Sequence, residues 1–155
     1  MIRRIIAGVA LSFVAAAGAH AQGITKAQLD SARAAAADVR KQTVAANMLL
    51  DSITAKKFWP VYDKYRAALM KARNQEWSML AKLATGADSL TNKQATALTN
   101  TWMSAQVAEL KVMQQYVPKF QAVMTPKQVA RFYQIEHRMD LLVQVAVAQE
   151  IPLIY

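Results

Sequence analysis

Three times along this chain a hydrophobic residue is followed by threonine, two further residues and glutamine. The copies are Ile24-Thr25-Lys26-Ala27-Gln28, Leu90-Thr91-Asn92-Lys93-Gln94 and Met124-Thr125-Pro126-Lys127-Gln128. The spacing is that of a helix-opening capping box. The threonine hydroxyl accepts from the backbone N–H three residues on, and the glutamine side chain returns to the N–H of the cap. The leading hydrophobe can staple onto Leu29, Ala95 or Val129, and Pro126 stands at the first helical position, where a missing N–H costs nothing. Leu50-Asp51-Ser52-Ile53-Thr54 reads as a degenerate fourth copy with Asp51 as cap. These starts predict helices near 25–48, 52–84, 92–117 and 126–149, with Gly86 ending the second and Pro152 stopping the last. The expected fold is all-α, a four-helix bent hairpin or bundle.

Composition closes off the alternatives. Hydrophobic residues make up 54% and charged residues 19% of the 155, which excludes a disordered chain. Glycine occurs only at 8, 18, 23 and 86, too sparsely for a phosphate-cradling loop or a turn-dense β fold. The absence of cysteine removes thiol catalysis, disulfides and thiolate metal sites.

The first residues read as an export signal. Arg3 and Arg4 form a positive n-region, residues 5–17 an apolar h-region, and Ala19-His20-Ala21 a cleavage site before Gln22. The apolar run is shorter than the roughly 20 residues a spanning helix requires, so stable membrane insertion is not expected. Residues 1–21 are then a signal peptide and 22–155 a single helical domain, of periplasmic location. Removing Arg3 and Arg4 lowers the formal charge of +9 by two.

Periodicity assigns faces. In the second helix Phe58, Tyr62, Tyr65, Leu69, Ala72 and Leu83 recur at helical spacing as a core stripe. Pro60 falls opposite, with Lys56, Asp63, Ala67 and Asn74. It either bends the helix around its apolar face or restarts it. The third helix carries Met103, Val107, Leu110, Met113 and Val117 on one face. The fourth carries Phe132, Ile135, Met139, Leu142, Val143 and Ala146. The first, with Leu29, Ala32, Ala36 and Val39, is poorer and is expected to be the least firmly held.

Two stripes on the second helix are candidate client-binding surfaces. Lys57, Lys64, Lys71 and Lys82 form one, readable as a solvated face or as a cationic groove wall that steers acidic partners. Trp59, Arg66, Arg73 and Trp77 form the other, readable as packing, a dimer seam or an arginine–aromatic binding face. Within it, Arg73 and Trp77 are spaced for a cation–π contact. The methionines beyond Met1 are core residues or an adaptable surface, and none are paired closely enough for copper(I). His137 has Glu136 and Asp140 nearby, too few ligands for a closed metal site, and Glu136 reads more simply as an ion-pair partner of an arginine across the bundle. No nucleophile–base–orienter spacing stands out, so neither an enzyme nor a cofactor is expected, and export argues against nucleic acid.

The repeated boxes, together with Ala45-Ala46-Asn47-Met48, Phe58-Trp59-Pro60-Val61-Tyr62 and Ala130-Arg131-Phe132-Tyr133-Gln134-Ile135-Glu136, resemble an uncharacterised branch of the L-T-x-x-Q (Spy/CpxP-like) periplasmic protein family. The resemblance covers nearly all of residues 22–155. It implies a long bent helical hairpin that forms a homodimer shaped as a thin cradle. It also implies an ATP-independent chaperone-like role in envelope stress, holding unfolded or exposed envelope proteins. The alternative it implies is a regulatory or metal-responsive partner of the periplasmic domain of a membrane stress-sensor kinase.

Overall fold

The computed structural model describes residues 26–86, 90–150 and 154. Four helices run through them: α1 Lys26–Met48, α2 Ser52–Gly86, α3 Asn92–Gln121 and α4 Pro126–Glu150. The fold is all-α, with no strand among the described residues. The leader, Thr25 and the side chains of Gln28, Lys82 and Leu83 lie outside the described residues.

The boxes act as caps. Gln94 N–H donates to Thr91 Oγ1 at 3.3 Å and Thr91 N–H to Gln94 Oε1 at 2.9 Å. The same reciprocal pair joins Gln128 and Thr125 at 3.3 and 2.9 Å. Asp51 caps α2 through Oδ1, which accepts from the N–H groups of Ile53 and Thr54, both at 2.9 Å. Met124 and Val129, the expected staple of α4, are both buried in one cluster. Between Met48 and Asp51 the chain reverses through Leu49, whose φ of 51° is left-handed. A leucine there carries a steric cost that glycine would not.

Pro60 and Pro118 lie inside helices. Pro60 is exposed and continues α2 without a restart, and Lys56, Asp63, Ala67 and Asn74 are exposed with it. Pro118 does not end α3 near 117 as expected, and the helix runs on to Gln121. Its ring faces solvent while Tyr116 and Phe120, on either side, are held in the core, so packing carries the helix through the lost hydrogen bond.

α2 and α3 form a long antiparallel hairpin, and α1 and α4 lie together against it. The core is aromatic and lies toward the α1–α2 and α3–α4 turns. Phe58, Tyr65, Leu69, Phe120 and Phe132 are at most 1% exposed, joined by Val44, Met48 and Tyr62. Phe120 and Phe132 stack at 4.5 Å between centroids, and Phe58 and Tyr65 lie 5.5 and 5.7 Å from Phe132. Each such side chain contributes on the order of 1.5–3 kcal/mol by leaving water. The Tyr133 hydroxyl donates to Met113 O at 2.9 Å and ties α4 to α3.

Three expected faces need correction. On α3, Met103, Val107 and Leu110 are about half exposed (51–54%), and only Met113 and Val117 of that stripe are partly covered. The buried face is set by Ala105, Tyr116 and Phe120, because the large rings win the interior. On α4, Phe132, Ile135 and Met139 turn inward as expected, but Leu142 and Val143 are exposed. On α1, Ala36 is exposed and Val39 half-buried. Anchorage comes from Val44 and Met48, one and two turns beyond the expected stripe, while residues 34–38 face solvent.

Candidate functional site

Just beyond the aromatic core a layer of charge crosses all four helices. Arg40 of α1 donates to Glu136 Oε2 at 3.0 Å and to Asp140 Oδ1 at 2.7 Å. Arg66 of α2 reaches the same Glu136 oxygen at 2.9 Å. Arg73 of α2 forks onto Asp140, with Nη1 to Oδ1 at 3.1 Å and Nη2 to Oδ2 at 2.8 Å, and pairs with Glu109 of α3 through Nε at 2.8 Å and through Nη2. Three guanidiniums meet three carboxylates, so the layer is neutral as a set. Glu136 is 1% exposed, and its second oxygen, Oε1, has no hydrogen-bond partner.

The electrostatics follow from burial against pairing. Burial alone would raise the Asp140 carboxyl. Hydrogen bonds and charge from Arg73 and Arg40 outweigh it and hold the group below the ordinary aspartate range. Burial, with the Glu136 charge behind it, raises the Tyr62 and Tyr65 hydroxyls and pushes Tyr133 up to about 12. Glu76, half-buried on α2, is raised by desolvation and then by the like charge of Glu109, against the Arg73 charge and the Trp102 hydrogen bond. Asp51, fully exposed, is held low by its hydrogen bonds from Thr54.

This geometry separates the two candidate stripes. Lys57, Lys64 and Lys71 are exposed along the outer face of α2. Arg66 and Arg73 do not face outward: their guanidiniums are consumed in the ionic layer, at 18% and 12% exposure. The reading of these two as part of a binding face is corrected on that ground. The expected Arg73–Trp77 stacking is replaced by the bonds to Glu109 and Asp140. Trp59 is half-buried, packed edge-on to Phe58 and Tyr62 at 5.0 and 5.4 Å, with Lys41 Nζ 5.3 Å from its ring centre. Trp77 is half-buried as well. The pairing of Glu136 with an arginine across the bundle is present twice over. His137 is exposed, and no cluster of three or more histidine or carboxylate ligands occurs among the described residues.

Two surfaces were missed by residue counting. α3 exposes Trp102, Met103, Val107 and Leu110, and α4, past the ionic layer, exposes Leu141, Leu142, Val143 and Val145. The signal for Met103, Val107 and Leu110 was that they turn away from the Tyr116–Phe120 face. The second surface is a groove between α1 and α4 of about 530 Å³, edged by Lys127, Arg131 and Arg138. Its signal was the 4- and 7-residue spacing of those cations along α4. No described helix is long and apolar enough to cross a membrane. No family model, curated protein or solved structure matches this chain.

Proposed function

We propose that this chain is a periplasmic, ATP-independent chaperone-like binding protein of an envelope stress response, which holds unfolded or exposed polypeptide clients. The observation that carries the reading is the run of large apolar side chains that α3 and α4 leave in solvent. Met103, Val107 and Leu110 on α3 are 51–54% exposed, and Leu141 and Val145 on α4 are 45% and 58% exposed. Clustered exposed hydrophobes of this kind are the usual mark of an interaction surface. Met103, unbranched and flexible, adds a contact that adapts to irregular partners, as a surface for varied clients requires. The exposed lysines of α2 add long-range attraction for acidic clients, and the leader motif at residues 1–21 supplies the compartment. The homodimeric cradle belongs to the same proposal, with these aliphatic faces lining or closing it.

The test is suppression of aggregation of a chemically denatured client by the purified protein, without nucleotide, with and without added zinc or copper. Suppression at near-stoichiometric ratio in metal-free buffer supports the reading. Inactivity in every condition overturns it. Activity that appears only with metal moves the protein to the metal-responsive alternative.

A further inference from the structure

We infer that the groove between α1 and α4 is a binding site for acidic, partly apolar polypeptide segments. The inference rests on the client-holding reading above and gives it a specific location and client chemistry.

Lys127, Arg131 and Arg138 share one narrow face of α4, and all three are exposed along the groove edge. At 1.5 Å per residue they lie about 6 and about 10 Å apart along the helix. None of the three forms a salt bridge among the described residues, and no carboxylate lines the groove. The contrast with Arg40, Arg66 and Arg73 is direct: those three guanidiniums have carboxylates facing them, and these three cations have open space. Ile135 and Met139, half-buried and buried, give the groove an apolar floor, the exposed Leu142 and Gln134 lie beside the cations, and α1 adds the polar side chains of Thr43 and Asn47.

A row of cations over an apolar floor selects for a ligand with several negative charges and apolar groups between them. A single-headed amphiphile would satisfy one cation and leave two unmatched. An extended polypeptide advances about 3.3 Å per residue, so acidic side chains two residues apart are about 6.6 Å apart, close to the Lys127–Arg131 separation. About five residues span the whole row. Charge-assisted hydrogen bonds to the two arginines are the strong contacts, and they distinguish carboxylate-bearing segments from neutral ones.

The test is fluorescence anisotropy with two labelled peptides, one alternating Glu and Leu and one alternating Gln and Leu. The proteins compared are wild type, R131E/R138E and K57Q/K64Q/K71Q, each checked for an unchanged thermal melt. The expected result is tighter binding of the acidic peptide by wild type, weakened at least tenfold in R131E/R138E and little altered in the lysine variant. Binding that survives in R131E/R138E, or is lost only in the lysine variant, overturns the assignment to the groove. Groove-dependent binding of dodecanoate in place of the peptide overturns the polypeptide assignment. Aggregation suppression measured on the same samples separates the two readings. Suppression by wild type with no acidic-peptide binding removes the groove site and leaves the chaperone reading standing. Groove-dependent peptide binding without suppression does the reverse.

Discussion

The two ends of this bundle are built from the same four helices and bury their apolar side chains to different extents. Toward the α1–α2 and α3–α4 turns, aromatic rings from α2, α3 and α4 pack within 4.5 to 6 Å of one another and exclude solvent. Beyond the Arg40–Glu136–Arg66 layer, valine, leucine and methionine of α3 and α4 at equally regular spacing stand in water, while Met79 of α2 and Ala105 of α3 stay covered. The difference teaches that periodicity marks a face as apolar without saying whether anything covers it. Ring size decides which face goes inside, because an aromatic side chain buries more area and reaches across a wider helix separation. The ionic layer marks the change. Charges on all four helices find their partners across it, and the aliphatic residues of α3 named above lie on the side of the helix turned away from those partners.

The largest expected effect tests whether the ends really differ. Phe132→Ala should cost about 3–5 kcal/mol, since it opens a cavity where Phe58, Tyr65 and Phe120 meet. Leu110→Ala, in the exposed run, should stay within about 0.5 kcal/mol. Urea denaturation of both variants measures the gap. Equal costs would mean that Leu110 is buried in solution, by a second copy or otherwise, and the contrast between the ends would fail.

The boundary layer gives the next effect. Glu136→Gln keeps the shape but removes the charge that Arg40 and Arg66 share, leaving Arg66 without a carboxylate and Arg40 with Asp140 alone in a largely buried site. Breaking such a pair from one side costs about 3 kcal/mol. The pH dependence has a definite sign. Asp140 has a depressed folded pKa, so its pairing contributes stability above the ordinary aspartate range, and that contribution is lost as pH falls through the folded value. Stability measured from neutral pH downward should therefore fall, and D140N should start lower and fall less steeply. A parallel curve for D140N would show that other carboxylates carry the acid sensitivity.

Much of this architecture was legible from short-range chemistry. Thr91, Thr125 and Asp51 announced their helices because a cap is satisfied within three residues, whatever the tertiary fold. Phe58, Tyr62, Tyr65 and Leu69 announced a buried stripe because three rings and a leucine recur at i, i+4, i+7 and i+11 along α2 with no charge among them. The Glu136 pairing was legible because a carboxylate on the Phe132–Met139 face has to meet a cation. What escaped depended on neighbours. That Arg66 and Arg73 turn inward, and that Met103, Val107 and Leu110 turn outward, is fixed by which helix lies opposite, and spacing along one helix holds no record of that. Pro118 misled for the same reason, since the burial of Tyr116 and Phe120 by other helices outweighs a local preference to stop.

The smallest effect sharpens the comparison most. Thr91 and Thr125 make the same capping box with matching distances, so local chemistry predicts the same loss of about 1 kcal/mol from either alanine substitution. Their settings differ. Thr125 opens α4 at the packed end, between the buried Met124 and Val129. Thr91 opens α3 at the other end, where Asn92, Lys93, Gln94 and Thr96 are exposed and Ala95 is only half-covered. A helix end without buried contacts can fray without disturbing the rest, so part of the lost cap energy never reaches the global transition. Thr125→Ala should therefore lower global stability by about 1 kcal/mol and Thr91→Ala by less than about 0.5 kcal/mol. The energy missing from the second should reappear as faster amide exchange at Gln94 and Ala95 with the core amides of Phe120 unchanged. Equal global losses, with no local change in exchange, would mean that the open end folds as one unit with the aromatic core. The exposed aliphatic run would then belong to a rigid surface, built to meet a partner of defined shape rather than to adapt to many.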